Sequence, residues 1–232
     1  YGTLGGDRCV AIELWFGKDT EGTDIVAVHG LPLIVPVHFR KSDTPENQIV
    51  KWVRAHCENG QIVPGNVFFD STGRGTLGTA FGRIWSTDVN PVEFGGNASE
   101  RRVSGVDQRK CSEVYGKFVT ELWYQVRNAI ESKQFRGITD EIIDDGTCRE
   151  YMMIDKKKVD VESKKITKQR MGRSPDIFDA LVTAFEGARQ RGFVISGLLR
   201  NAGRGPTLWQ KTAEQYQQTW QRKRLTYGTK LS

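Results

Sequence analysis

The order of apolar runs ahead of residue 71 limits this chain to few folds. Arg8 to Phe16 reads as a strand, entered from the glycine-rich turn Gly5-Gly6-Asp7. After a turn over Lys18 to Thr23, Asp24 to Val28 and Leu31 to Val37 are β-branched runs of strand length, interrupted near Gly30 and Pro32. Short turns between successive strands predict an antiparallel meander. Pro45 then opens a helix capped by Thr44, with Ile49, Trp52, Val53 and Cys57 on one side and Asn59-Gly60 at its end. Val67 to Phe69 is a short apolar run that suits a buried strand, and Asp70 stands at its C-terminal end. Strands, a helix, and a strand tipped by an acid predict an α/β domain: a mixed central sheet with helices on both faces.

Asp70 is followed by Ser71-Thr72-Gly73, a polar turn at the rim of the predicted sheet, where α/β folds bind ligands. A second acidic feature lies about a hundred residues on, in Ser174-Pro175-Asp176-Ile177-Phe178-Asp179. Ser174 reads as an N-cap and Pro175 as the first helical residue. Ile177, Leu181, Ala184, Phe185 and Ala188 repeat at helical spacing. Asp176 and Asp179 therefore project as neighbours from the first turn. One such carboxylate is explained by the helix dipole alone; two on one face need another reason. The expectation is that Asp70 and Asp176 meet and hold divalent metal, with Asp179 adjoining. Hard carboxylate oxygens suit Mg²⁺ or Mn²⁺. A pair of such ions roughly 4 Å apart can activate water against a phosphodiester.

Charge points the same way. The chain of 232 residues carries a formal net charge of +6. Lys156-Lys157-Lys158, Lys164-Lys165, Lys168, Arg170 and Arg173 cluster just ahead of Asp176. A carboxylate site bordered by cations is what cleavage of a polyanion needs, and Lys164, Lys168, Arg170 and Arg173 are the candidate DNA contacts. A solvated charged face is the plainer reading of the second basic group, Arg222-Lys223-Arg224.

Other chemistries find little support. Gly73-Arg74-Gly75-Thr76-Leu77-Gly78 matches G-x-G-x-x-G, but Asp70 would repel a diphosphate there, and no Walker A pattern occurs. His29, His38 and His56 lack ligand-like spacing. Cys9, Cys57, Cys111 and Cys148 form no Cys-x-x-Cys pair and read as free thiols of a reducing compartment. No apolar run approaches the roughly 18 residues of a membrane span. Further elements are expected as a helix over Leu77 to Trp85, a strand over Pro91 to Phe94, a polar loop over Gly95 to Gly105, and a long helix over Glu113 to Ser132. Thr139 to Asp145 is a short segment of open assignment, and Arg149 to Ile154 with Val159 to Glu162 reads as a hairpin. Residues 1–192 thus form one domain. Residues 193–232 read as a glycine-rich linker and a basic C-terminal helix over Leu208 to Arg224, its Trp209, Tyr216 and Trp220 more suited to docking than to base stacking.

The meander, helix and acid-tipped strand are the order of the RNase H-like fold. Phe69-Asp70-Ser71-Thr72-Gly73-x-Gly75, then Glu162-x-Lys164, then Lys168-x-Arg170-x-Gly172-Arg173-Ser174-Pro175-Asp176-x-x-Asp179-Ala180-Leu181, resemble the nuclease domain of tailed-phage terminase large subunits. The resemblance spans Gly5 to about Gly192. It implies a two-metal endonuclease that cuts concatemeric viral DNA during genome packaging. Asp70 and Asp176 map onto metal ligands, Asp179 onto an adjoining or substitute one, and Asp7 onto an accessory one. The family's first metal-binding Asp ends a strand just ahead of the turn that holds Gly5-Gly6-Asp7, and an ATPase domain lies further upstream; neither is in this sequence, which reads as a fragment. The implied partners are double-stranded DNA and, in the whole motor, a small subunit and a portal. The piece alone is expected to be monomeric, in the host cytoplasm and away from membranes. Two rivals stay open: a catalytically silent DNA-binding or docking module, and an RNase H-like resolvase or integrase.

Overall fold

The computed structural model describes residues 7–38, 42–72, 75–154 and 157–197. The expected tail helix and its aromatic stripe lie outside them. Strand β1 (Val10–Lys18) pairs antiparallel with β2 (Asp24–Ile34). The expected break near Gly30 is absent: Gly30 takes a positive φ of 74°, and the register slips between Ala11 and Glu13. Three residues of β2 thus face one of β1, a bulge that glycine absorbs without ending the strand. The third strand of the meander is replaced by β5 (Phe135–Arg136), which pairs parallel with β2.

Helix α1 (Pro45–Asn59) has Thr44 as its cap, the side chain accepting from the Asn47 N–H. Strand β3 (Phe68–Asp70) pairs parallel with β4 (Asn90–Val92), and α2 (Thr76–Ile84) joins them. The expected helix over Glu113 to Ser132 is two, α3 (Cys111–Val114) and α4 (Phe118–Glu131). Tyr115 and Gly116 separate them because the chain there bridges to Val159; the Gly116 N–H donates to the Val159 carbonyl at 2.9 Å. Helix α5 (Asp140–Gly146) follows, capped by Thr139. The expected hairpin forms as β6 (Tyr151–Ile154) and β7 (Lys158–Val161). The basic cluster carries an unexpected helix, α6 (Lys164–Met171), whose N-cap is Ser163. Last comes α7 (Asp176–Gln190).

Among the described residues three apolar clusters hold this α/β fold, the smaller two around α1–α2 and around Ala98, Val103, Cys111 and Tyr115. The largest centres on α4 and α7, where Leu122, Val126, Leu181, Val182 and Phe185 are fully buried. Each such side chain contributes about 1.5–3 kcal/mol. Phe193 and Ile195 belong to it, so the packed unit continues past Gly192. The α1–α2 cluster joins those helices through Val50, Ala80 and Phe81. Strand β3 faces it and the largest: Phe68 packs on the largest, Phe69 on the α1–α2 cluster.

The central sheet is split. Among the described strands, β1 pairs only with β2, and β3 only with β4. Between them lies a cavity of about 880 Å³, lined by β1 and β3 along its sides and by residues of α1 and α7. Helix α7 touches both halves. Gly187 makes the closest approach: a Cβ there would stand 2.6 Å from the Phe68 ring. Arg191 lies over that ring at 4.8 Å and donates to the Asn66 side chain at 3.0 Å.

Candidate functional site

Helix α7 begins one residue later than its sequence suggests. Pro175 takes the N-cap position with φ −81° and ψ 56°, and no side-chain cap comes from Ser174. The cap is supplied from another helix: the Asp145 carboxylate of α5 accepts the Phe178 N–H at 2.9 Å and pairs with Arg173. Local pattern cannot reveal a cap that arrives from 33 positions away. A carboxylate at this end also suits the helix dipole.

Asp176 and Asp179 stand in that first turn, at 6% and 7% exposure. Asp176 accepts the Arg8 backbone N–H at 2.7 Å, which ties the approach to β1 to the helix start. Lys164 reaches both acids, 3.0 Å from Asp176 Oδ1 and 3.2 Å from Asp179 Oδ2. Asp179 Oδ1 also takes the Trp123 indole N–H at 3.3 Å and faces Arg149 at 3.4 Å. Arg149 in turn lies over the Trp123 ring at 4.5 Å. Burial alone would lower the Lys164 pKa, but the charges of Asp179 and Asp176 outweigh it and hold the group above its ordinary value. The ammonium is therefore a half-buried cation that stays charged between two carboxylates.

Asp70 ends β3 on the same cavity, which Asp7, Asp70, Lys164, Asp176 and Asp179 all line. Its side chain is open to the cavity but walled by protein, and this enclosure raises its carboxyl above the usual value. Hydrogen bonding from Thr72, whose N–H donates at 2.8 Å, opposes the shift; the Asp179 charge adds to it. Among the described residues no Lys or Arg forms an ion pair with Asp70. Asp7 behaves in the opposite way. Its partial burial is outweighed by the Lys168 hydrogen bond at 2.9 Å and by the charges of Lys164 and Lys168, so its carboxyl is held low.

The four expected acids thus border one cavity. The four expected cations do not all face it. Lys164 and Lys168 hold site carboxylates. Arg170 pairs with Glu162 and Glu150, and also bonds the Cys148 carbonyl. Arg173 is engaged by Asp145. Both arginines brace helices and the hairpin base in this conformation. Arg149 and Trp123 were not singled out by sequence. A tryptophan on a helical stripe reads as core, and one arginine beside a hairpin carries no spacing signal.

Among the described residues, no group of three or more His, Cys, Asp or Glu side chains is close enough to hold a metal ion as it stands. The donor chemistry nevertheless fits one. The acids supply hard oxygens, and Lys164 already supplies positive charge between two of them. The four cysteines are free thiols, and no described helix is long and apolar enough to cross a membrane.

No protein-family model and no curated protein sequence matches this chain. Among solved structures it is similar to the K428A mutant nuclease domain of the large terminase subunit gp2 of bacterial virus Sf6 with manganese. That match has 14% identity and a TM-score of 0.48, over 77% of this chain and 88% of that one. The same mutant with calcium gives 14% and 0.47, and the nuclease domain without the mutation 13% and 0.42, over the same shares. Such scores describe a likeness alone; the chemistry rests on the geometry given above.

Proposed function

We propose that this chain is a metal-dependent endonuclease domain acting on double-stranded DNA during viral genome packaging. One observation carries the reading: Asp70, at a strand end, and Asp176 and Asp179, on a helix start, line one cavity, and the Asp179 charge acts on the Asp70 carboxyl. Asp70, Asp176 and Asp179 would hold Mg²⁺ or Mn²⁺, with Asp7 at the rim. Such ions, when bound, supply Lewis acidity toward water and toward the leaving oxygen of a phosphodiester.

The chain's own residues do the rest. The Arg8 N–H and the Trp123 indole fix how the two helix carboxylates are turned. Lys164 balances their charge while the site is metal-free, and its ammonium can then turn to a phosphate oxygen. Asp70 stays partly protonated to a higher pH than an ordinary carboxyl, so the competent form is the ionised one above that range. The small subunit, the portal and the host cytoplasm belong to the same proposal.

The test is a supercoiled plasmid with Mn²⁺. Nicking is expected, and it should vanish in both Asp70→Ala and Asp176→Ala. Nicking that survives both changes overturns the assignment. The pairing of Asp176 and Asp179 with Lys164 and Arg149 favours one second reading, a silent DNA-binding module whose acids are already neutralised. Salt-sensitive DNA retention without Mn²⁺ binding would select it. A preference for four-way junctions would select a resolvase instead.

A further inference from the structure

Arg149 and Arg189 are both buried arginines, their side chains 4% and 6% exposed. Burying a guanidinium is costly, and the cost is offset only where its donors are met. Arg189 satisfies that condition: it donates to Glu121 at 2.6 Å and to Glu186 at 2.9 Å. Arg149 does not. Among the described residues its one carboxylate partner is Asp179, at 3.4 Å, and its Nε–H has no acceptor. The guanidinium lies over the Trp123 ring at 4.5 Å instead. A donor left unmet in the interior works against stability. The placing of Arg149 is therefore explained by what it does to Asp179, not by its own contacts.

That placing is enforced from several sides. The Cys148 carbonyl accepts from Arg170, and the Glu150 N–H donates to Glu162 Oε1 at 3.1 Å. Arg149 thus leaves a backbone tied at the residue before it and the residue after it. Trp123 is buried on α4, and its ring packs on Phe178 at 4.5 Å. Asp179 meets a cation whose backbone and ring support are both held. Its two oxygens are consequently unlike. Oδ1 faces Arg149 and takes the Trp123 indole N–H, while Oδ2 faces Lys164. Asp176 is divided in the same way, Oδ2 to the Arg8 N–H and Oδ1 to Lys164. The oxygens turned toward Lys164 are the ones left for an added cation. A lysine ammonium on its flexible stem can swing aside; a guanidinium laid on a ring is pre-organised and stays.

We propose that Arg149 is a positioning residue of the carboxylate site: braced on Trp123, it holds Asp179 Oδ1 so that Oδ2 alone is presented to a divalent cation. The proposal rests on the metal reading of the site, and its test reads metal binding rather than cleavage. The probe is Mn²⁺ alone, titrated calorimetrically into the whole chain. Arg149→Lys keeps the charge and loses the flat fork, so electrostatics are matched while geometry is not. Mn²⁺ affinity should fall by about tenfold or more, the usual loss when the partner that orients a metal ligand is removed. Asp179→Asn lowers the affinity on its own account. In that background Arg149→Lys should change it by less than about twofold, because the arginine acts through Asp179. A merely structural arginine would weaken binding by the same factor in both backgrounds. Circular dichroism melts fix a temperature at which every variant is folded. Should Arg149→Lys not fold, Arg149→Met, which keeps the contact with the ring, takes its place in the same cycle. Unchanged or tighter Mn²⁺ binding in Arg149→Lys, or equal losses in the two backgrounds, overturns the proposal. Absence of Mn²⁺ binding by the wild type overturns it together with the nuclease reading. Coupled Mn²⁺ binding without plasmid nicking sinks the nuclease reading and leaves Arg149 in its role. Nicking without the coupling does the reverse.

Discussion

Asp70 shows how one residue can trade stability against chemistry. Its folded pKa lies above the ordinary aspartate value of 3.8, mainly because the cavity wall desolvates a side chain that is otherwise open. A raised folded pKa means that the folded protein binds this proton more tightly than the unfolded chain does. Ionising Asp70 therefore costs stability. The cost is absent below the unfolded value and complete once the pH passes the raised one. Asp70→Asn should then melt at a higher temperature than wild type near pH 7.5, lose that advantage at pH 3, and fail to nick DNA at either. Thermal melts at the two pH values check it. The nature of the acids was legible in the sequence because a carboxylate after an apolar strand, and two in one helical turn, are local patterns. Their counter-charges were not. Lys164 was visible as a basic residue, but its bridging of Asp176 and Asp179 depends on α6, whose start is marked only by Ser163 and whose hydrophobic pattern is weak. Arg149 and Asp145 act across long sequence separations and left no trace in any window.

Among the elements, α7 sets the geometry. Its first turn carries two of the acids, and its last turns hold β3 in place through Gly187 and Arg191. Gly187→Ala would drive a Cβ into the Phe68 ring at 2.6 Å. The ring is packed in the larger core and β3 must shift, at a cost of about 1–3 kcal/mol. Because Asp70 ends the same short strand, Mn²⁺ affinity should fall along with the melting temperature. Calorimetric titration of the folded variant separates the two effects: weakened metal binding at a temperature where the variant is fully folded is the expected result. The helix that begins after Thr44 was legible because its cap is in the chain next to it, whereas Thr139 to Asp145 is too short for its pattern to distinguish a helix, although Thr139 caps α5. Helices α3 and α4 read as one because the amphipathic stripe continues across Tyr115 and Gly116, and only pairing with Val159 breaks it. Strand β5 is two residues long and exists because β2 offers it an edge, which no periodicity can announce.

At the scale of the described residues, the two largest packing units are unequal. The α4–α7 core is large and closed, while the α1–α2 core is small and meets it mainly along β3. Regions with fewer buried contacts open first. Amides of α1, α2, β3 and β4 should therefore exchange with deuterium at lower denaturant concentration than those of α4 and α7, as measured by mass spectrometry of peptic fragments. Simultaneous exchange of both sets would show a single cooperative unit instead. The α/β class and the chain order of its main strands and helices followed from the alternation of strand and helix patterns. The division of the sheet did not, since an open edge differs from a paired one only in what lies beside it.

An arch without its keystone leans on a single beam. Among the described strands none joins the two groups, and helix α7 packs on both β1 and β3. A solute or peptide that enters that seam would spread or draw in the acids without unfolding anything. In this molecule the placing of the acids and the stability of the fold thereby rest on different contacts, and mild perturbation should move the acids well before it unfolds the chain.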